Sequence, residues 1–149
     1  MRAVVQRVKK SSVTVGTAVT GEIGHGLMVL IGVENGDTEK DAVYIADKIT
    51  GLRIFEDGDG KMNLSVKDVA GDILAVSQFT LLGDVRKGKR PSFTNAAEPE
   101  QANEMYRKTI SLIKEKNINV QEGIFRAEMM VEIYNDGPVT ILLDSKKIF

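Results

Sequence analysis

The chain has 149 residues, and 20 lysines and arginines against 21 aspartates and glutamates leave a net charge of −1. That length fits one domain with its own core, and 42% hydrophobic against 28% charged residues speaks against disorder, collagen-like repeats and a membrane-embedded protein. The near-neutral balance also excludes coating nucleic acid by bulk charge, so any such contact falls to a local patch.

Cysteine is absent, which removes disulfides, thiolate catalysis, zinc ribbons and iron–sulfur clusters. His25 is the one histidine, so no histidine-based metal cluster exists, and nothing in the sequence asks for a cofactor. Met1–Val8 lacks the continuous apolar stretch of a signal peptide. The longest apolar run, Leu27–Val33, falls far short of the ~20 residues that span a bilayer. The expectation is a cytoplasmic protein with no membrane partner.

In chain order, Arg2–Val8 and Ser12–Val15 alternate and are rich in valine, predicting a strand with a bend at Lys9–Ser11. Gly16-Thr17 turns into a short Val19–Glu22 segment. Gly24-His25-Gly26 turns again, and Gly26–Val33 reads as a strand buried on both faces. After Asn35-Gly36-Asp37, Thr38 and Asp41 have capping-box spacing. Ala42, Ile45, Ala46, Ile49 and Leu52 then follow at helical intervals, predicting an amphipathic helix over Thr38–Gly51.

Arg53–Phe55 and Met62–Val66 flank Asp57-Gly58-Asp59-Gly60 as a small hairpin. Its acidic turn fails as a calcium loop, because Lys61 and Met62 stand where an oxygen ligand and a glycine are needed. Asp72–Leu82 reads as a further strand, and Gly83–Asn95 as a long basic loop. Glu98-Pro99-Glu100 opens a second helix running to about Lys116, with Ala102, Met105, Tyr106, Ile110 and Ile113 on one face. Ile124–Tyr134 and Val139–Leu143 read as strands joined at Asn135-Asp136-Gly137-Pro138. Two helices and roughly seven strands, clustered rather than alternating, predict a single α+β domain over residues 1–149 with a mixed, largely antiparallel, barrel-like sheet.

Three segments carry chemical interest. Gly83-Asp84-Val85-Arg86-Lys87-Gly88-Lys89 fits a phosphate-cradling loop up to its last position, where Arg90 replaces the magnesium-binding hydroxyl and Pro91 disfavours the helix that must follow. The four cations Arg86, Lys87, Lys89 and Arg90 are either a solvated loop or a contact for an RNA backbone. Ser77-Gln78-Phe79-Thr80 brings three polar side chains to the end of an apolar run. That is either a half-exposed edge strand or a pocket floor meeting a polarised carbonyl. Gly137-Pro138 reads as a plain β-turn or as a cis bond that re-aims its flanking carbonyls.

Ser77-Gln78-Phe79-Thr80-Leu81 and Asn135-Asp136-Gly137-Pro138-Val139-Thr140 resemble the two signature segments of the D-aminoacyl-tRNA deacylases. Gln6-Arg7-Val8, Ser12-Val13-Thr14-Val15, Gly60-Lys61-Met62-Asn63-Leu64 and Arg90-Pro91-Ser92-Phe93 are similar too, in order and end to end.

The resemblance implies a homodimer that hydrolyses the ester between a D-amino acid and the terminal adenosine of tRNA, with misacylated glycyl-tRNA as a further substrate class. It implies a cis Gly137-Pro138 that enters the partner subunit's pocket, where its carbonyls hold the α-amino side and leave no room for an L side chain. Arg7 then braces that dipeptide. Ser77, Gln78, Phe79 and Thr80 line the ester pocket, with the Phe79 N–H as oxyanion donor. Ala102, Phe125 and Met129 match pocket-wall positions, and Arg86, Lys87, Lys89 and Arg90 would lie near the acceptor end of tRNA.

An aminoacyl ester is already activated. Thr80 has no evident base in its motif to make it a nucleophile, so assistance from the vicinal ribose hydroxyl of the tRNA is the preferred mechanism. The rival readings are a non-catalytic RNA-binding module using the Arg86–Arg90 loop and a nucleotide-hydrolysing protein. The first is short of stacking residues at 5% aromatic content, and the second is opposed by Arg90 and Pro91.

Overall fold

Valine-rich alternation carries the first strand, β1 (Arg2–Val15), through Lys9–Ser11 without a break in the computed structural model, which describes residues 1–149. Three strands pair with it, all antiparallel. Along one edge run β3 (Gly26–Gly32), opposite Arg2–Val8, and β2 (Ala18–Ile23), opposite Ser11–Val15. The other edge is taken from Arg2 to Thr14 by β8 (Met130–Asp144).

Beyond β3 the sheet turns parallel, with β6 (Asp72–Ser77) beside β3 and β7 (Val120–Glu122) beside β6. β2 curls back against β6 and β7, which gives the sheet its barrel-like form. A separate hairpin joins β4 (Phe55–Glu56) to β5 (Met62–Leu64).

Two helices cover one face. In α1 (Glu39–Gly51) the Asp41 carboxylate accepts from the Thr38 N–H at 2.8 Å and from its hydroxyl at 3.0 Å, fixing the first turn. α2 (Pro99–Lys114) starts on a proline, whose missing N–H is no loss at that position. Leu27, Val29 and Ile31 of β3 join Ile73 and Ala75 of β6 in the core beneath the helices. The alternate residues Met28, Leu74 and Val76 pack with Val8, Val13 and Ile23 on the opposite face. β3 is therefore buried on both sides, as its unbroken apolar run predicts. No helix is long and apolar enough to cross a membrane.

The mixed α+β domain with two helices matches the sequence reading, with three differences. β6 stops at Ser77 and the chain enters a 3₁₀ turn at Phe79–Leu82, because β3, its hydrogen-bonding template, ends there. Ile124–Ala127 is a turn, closed by the Ala127 N–H to the Ile124 carbonyl at 3.1 Å, and strand geometry resumes only at Met130. Asn135–Pro138 does not join two strands: β8 continues through it, held by β1 on either side. With β7, too short to show a periodicity, the strands number eight.

Gly32 governs how closely the 3₁₀ turn seats on β3. A Cβ there would lie 2.6 Å from Leu82 Cδ2 and 2.9 Å from the Gln78 carbonyl oxygen. Gly32→Ala is expected to destabilise the fold by about 1–3 kcal/mol through overpacking and to displace the turn, as read from urea unfolding.

Candidate active site

β6 delivers Ser77 to the carboxyl end of the parallel pair, and the Gln78 N–H makes the last bond to β3, at 2.8 Å from the Ile31 carbonyl. The chain then tightens, and the N–H groups of Phe79 and Thr80 are left without intramolecular acceptors, as at any helical start. The Gln78 side-chain amide donates to the Thr80 hydroxyl, holding both side chains together. Phe79 is 58% exposed and meets Phe93 edge-on, with ring centroids 5.1 Å apart.

Ser77, Gln78 and Phe79 form one wall of a cleft of about 510 Å³. Ala102 and Tyr106 of α2 form a second wall, and Phe125 and Met129, between β7 and β8, a third. The buried Tyr106 hydroxyl donates to the Ala75 carbonyl at 3.0 Å, and the same oxygen accepts from the Gly123 N–H at 3.1 Å. One carbonyl of β6 thereby ties α2 and the segment after β7 to the cleft floor. Burial pushes the Tyr106 phenol well above the usual tyrosine range, so it remains a neutral donor. Arg126, in the turn beside Phe125, also lines the cleft, with a backbone φ of +65°.

A second centre forms where the β1–β8 ladder is interrupted. Gln6 pairs with Thr140 and Val8 with Asn135, so Asp136, Gly137, Pro138 and Val139 stand opposite Arg7 alone. The buried Arg7 guanidinium fills that interval, donating to the Asp136 carbonyl at 3.1 Å and the Ile54 carbonyl at 2.7 Å, with the Asp136 carboxylate at 3.5 Å. The Gly137–Pro138 peptide is cis. Gly137 has φ +123°, and a Cβ on it would sit 2.9 Å from Val139 Cγ2 and 3.1 Å from Arg7 Nη2. Both residues of the dipeptide are exposed and lie outside their own chain's cleft.

The basic loop is anchored at its base, where Asp84 and Ser92 exchange backbone hydrogen bonds of 2.8 and 2.9 Å. Arg86 folds onto Asp84 through contacts of 2.9 and 2.6 Å, which hold the Asp84 carboxyl well below the usual carboxylate range. Lys87, Lys89 and Arg90 are exposed and free of ion pairs. His25 lies in an exposed turn, edge-on to Phe55. No three His, Cys, Asp or Glu side chains are grouped to hold a metal ion.

The sequence-predicted residues thus fall into three groups. Ser77, Gln78, Phe79, Ala102, Phe125 and Met129 share the cleft, with Thr80 at its edge on the exposed side of the turn. Arg7, Gly137 and Pro138 form the bulge, and Arg86, Lys87, Lys89 and Arg90 belong to the loop.

The family model for D-Tyr-tRNA(Tyr) deacylase matches residues 4–144. The chain belongs to that family. It is accordingly a hydrolase of the deacylase class. Over all 149 residues of both chains it is 58% identical to a D-aminoacyl-tRNA deacylase of Thermotoga petrophila and 60% identical to one of Koribacter versatilis. A solved structure named c-Myc DNA Unwinding Element Binding Protein superposes with a TM-score of 0.91 at 44% identity, covering 97% of this chain and 98% of the other. A probable eukaryotic D-amino acid tRNA deacylase shares the fold, with a TM-score of 0.78 at 17% identity over 95% of this chain and 97% of its own.

Tyr106 and Arg126 are the polar cleft residues that the sequence does not assign to the site. A lone tyrosine on an otherwise aliphatic helix face was a usable signal for the first. The second lay inside a predicted strand, where nothing marks a left-handed turn.

Arg7 bridges the carbonyls of Asp136 and Ile54 with one guanidinium. Arg7→Ala is expected to cost about 2–4 kcal/mol in urea unfolding and to release the bulge. Arg7→Lys, which cannot span both carbonyls, is expected to recover less than half of that loss.

Proposed function

We propose that this chain removes D-amino acids, and misacylated glycine, from tRNA by hydrolysing the ester to the terminal adenosine, working as a homodimer in the cytoplasm. The observation that carries the reading is the pairing of an apolar cleft, which has unengaged backbone N–H groups at its Phe79 wall and Thr80 edge, with a backbone bulge standing outside that cleft. A bulge that cannot serve its own cleft is suited to a neighbour's. β8 also offers an unpaired edge with Met130, Tyr134 and Leu142 exposed, the kind of apolar strand edge that a second copy covers.

In this reading the aminoacyl-adenosine occupies the cleft between Phe79, Tyr106 and Phe125. Water attacks the ester carbonyl, and the developing oxyanion is taken by the Phe79 N–H. The carbon–oxygen bond to the ribose breaks, the ribose oxygen leaves with a proton, and the vicinal hydroxyl orients the water. Ser77 and the linked Gln78–Thr80 pair position the ester. The partner's Gly-Pro bulge presents backbone carbonyls to the α-amino side and excludes an L side chain. Such a device rejects by handedness while ignoring side-chain identity, and glycine passes because it has nothing to exclude.

Three unpaired cations, Lys87, Lys89 and Arg90, take the acceptor-end phosphates, whereas Arg86 is spent on shaping the loop. A non-catalytic nucleic-acid module is the alternative, in keeping with the name of the 44%-identical neighbour. It is weakened by the loop's single aromatic, Phe93, being engaged with Phe79.

The direct test follows ester loss from D-Tyr-tRNA, L-Tyr-tRNA and Gly-tRNA. Loss of the D and glycyl esters with the L ester spared is expected, and survival of all three overturns the proposal. Thr80→Ala is expected to lose less than about tenfold in rate, since an essential nucleophile is worth far more. Replacing Lys87, Lys89 and Arg90 by alanine together is expected to raise KM and lower the slope of log KM against log salt by about 0.7 per lost phosphate contact.

A further inference from the structure

Arg126 is the one charged side chain lining the cleft, whose other walls are aliphatic, aromatic or hydroxyl- and amide-bearing. It is exposed, and no ion pair or side-chain hydrogen bond engages its guanidinium. Its φ of +65° is a conformation glycine adopts freely and a long side chain adopts at a cost. The tight turn from Ile124 to Ala127 imposes that geometry. A free guanidinium at the mouth of an otherwise uncharged cleft points to a ligand contact.

The chemistry of the substrate selects which contact. An aminoacyl-adenosine carries a positive α-ammonium at its amino-acid end, which a neighbouring guanidinium repels. Its nearest anion is the phosphodiester joining the terminal adenosine to the preceding nucleotide. Arginine, with a planar fork of donors and a long stem, suits a phosphate at the rim of an apolar cleft better than lysine does. We infer that Arg126 is a positioning residue that grips this last phosphodiester and so registers the terminal adenosine in the cleft. The inference rests on the proposed function. It assigns Arg126 a contact separate from those of Lys87, Lys89 and Arg90, which lie on another loop.

The test compares wild type, Arg126→Gly and Arg126→Lys on two substrates, D-Tyr-tRNA and 3′-O-(D-tyrosyl)adenosine, which lacks the phosphate. Glycine suits the left-handed turn, so Arg126→Gly is expected to melt no lower than wild type. On D-Tyr-tRNA it is expected to lose at least about tenfold in kcat/KM, mainly through KM. The slope of log kcat/KM against log salt falls by about 0.7, and Arg126→Lys recovers part of the loss. On the phosphate-free ester the penalty disappears.

An equal loss on both substrates overturns the inference, because the guanidinium then acts on the aminoacyl-adenosine itself. No loss on either overturns it as well, leaving an ordinary surface arginine. A penalty confined to D-aspartyl esters, with or without the phosphate, overturns it in favour of a side-chain carboxylate as the ligand. Wild-type enzyme inactive on both esters is a different result, sinking the proposed function before Arg126 is at issue.

Discussion

The Arg7 guanidinium is the interaction on which the arrangement of this molecule turns. A buried cation must find acceptors, and Arg7 finds them on two segments far apart in the chain, at the carbonyls of Ile54 and Asp136. The β1–β8 ladder is locked on either side, by Gln6 with Thr140 and Val8 with Asn135. The residues between Asn135 and Thr140 therefore have only one place to go, outward around the guanidinium. Gly137 makes that path possible, because its φ suits glycine and its missing Cβ leaves room for Arg7. The bulge is rigid because charge, ladder and glycine all demand the same course.

The cleft is produced by a different constraint. Parallel strands run out together, so where β3 and β6 end, the backbone must leave the sheet with hydrogen-bonding groups unspent. Gln78 makes the final bond to Ile31, and the next two N–H groups have none. This is the general reason that binding sites gather at the carboxyl ends of parallel strands. The Tyr106 hydroxyl, pinned to Ala75 in the strand below, keeps α2 in register with those free groups. The cleft and its free N–H groups are thus a consequence of sheet topology, and the helix is fitted to them.

Much of this was legible in the sequence, and what was not has identifiable causes. The apolar spacing from Ala42 to Ile49, with Thr38 and Asp41 before it, describes α1 because capping and burial there act locally. Gly26–Val33 reads as a doubly buried strand because both faces are apolar. The end of β6 could not be read, since Leu81 and Leu82 prolong the apolar pattern while the actual limit is the length of β3. Asn135-Asp136-Gly137-Pro138 has every local property of a reverse turn, and only pairing with the distant β1 turns it into a bulge. The site residues were recognised through resemblance. Their division into cleft, bulge and basic loop needed the tertiary contacts.

In the function proposed above, that division leaves both selection and oxyanion binding to the backbone. A side chain that sensed handedness would also sense the size and polarity of the substrate's own side chain. A carbonyl fixed in a bulge meets only the groups common to every amino acid, namely the α-nitrogen and the α-carbon substituents. In the proposed reaction the oxyanion donor, the Phe79 N–H, is likewise a main-chain group, indifferent to what is attached to the ester. Side chains then serve at one remove: Arg7 sets the bulge, Tyr106 the floor, and Gln78 the orientation of Thr80. An enzyme that must act on many amino acids of one hand gains breadth from the backbone and accuracy from the residues that hold the backbone still.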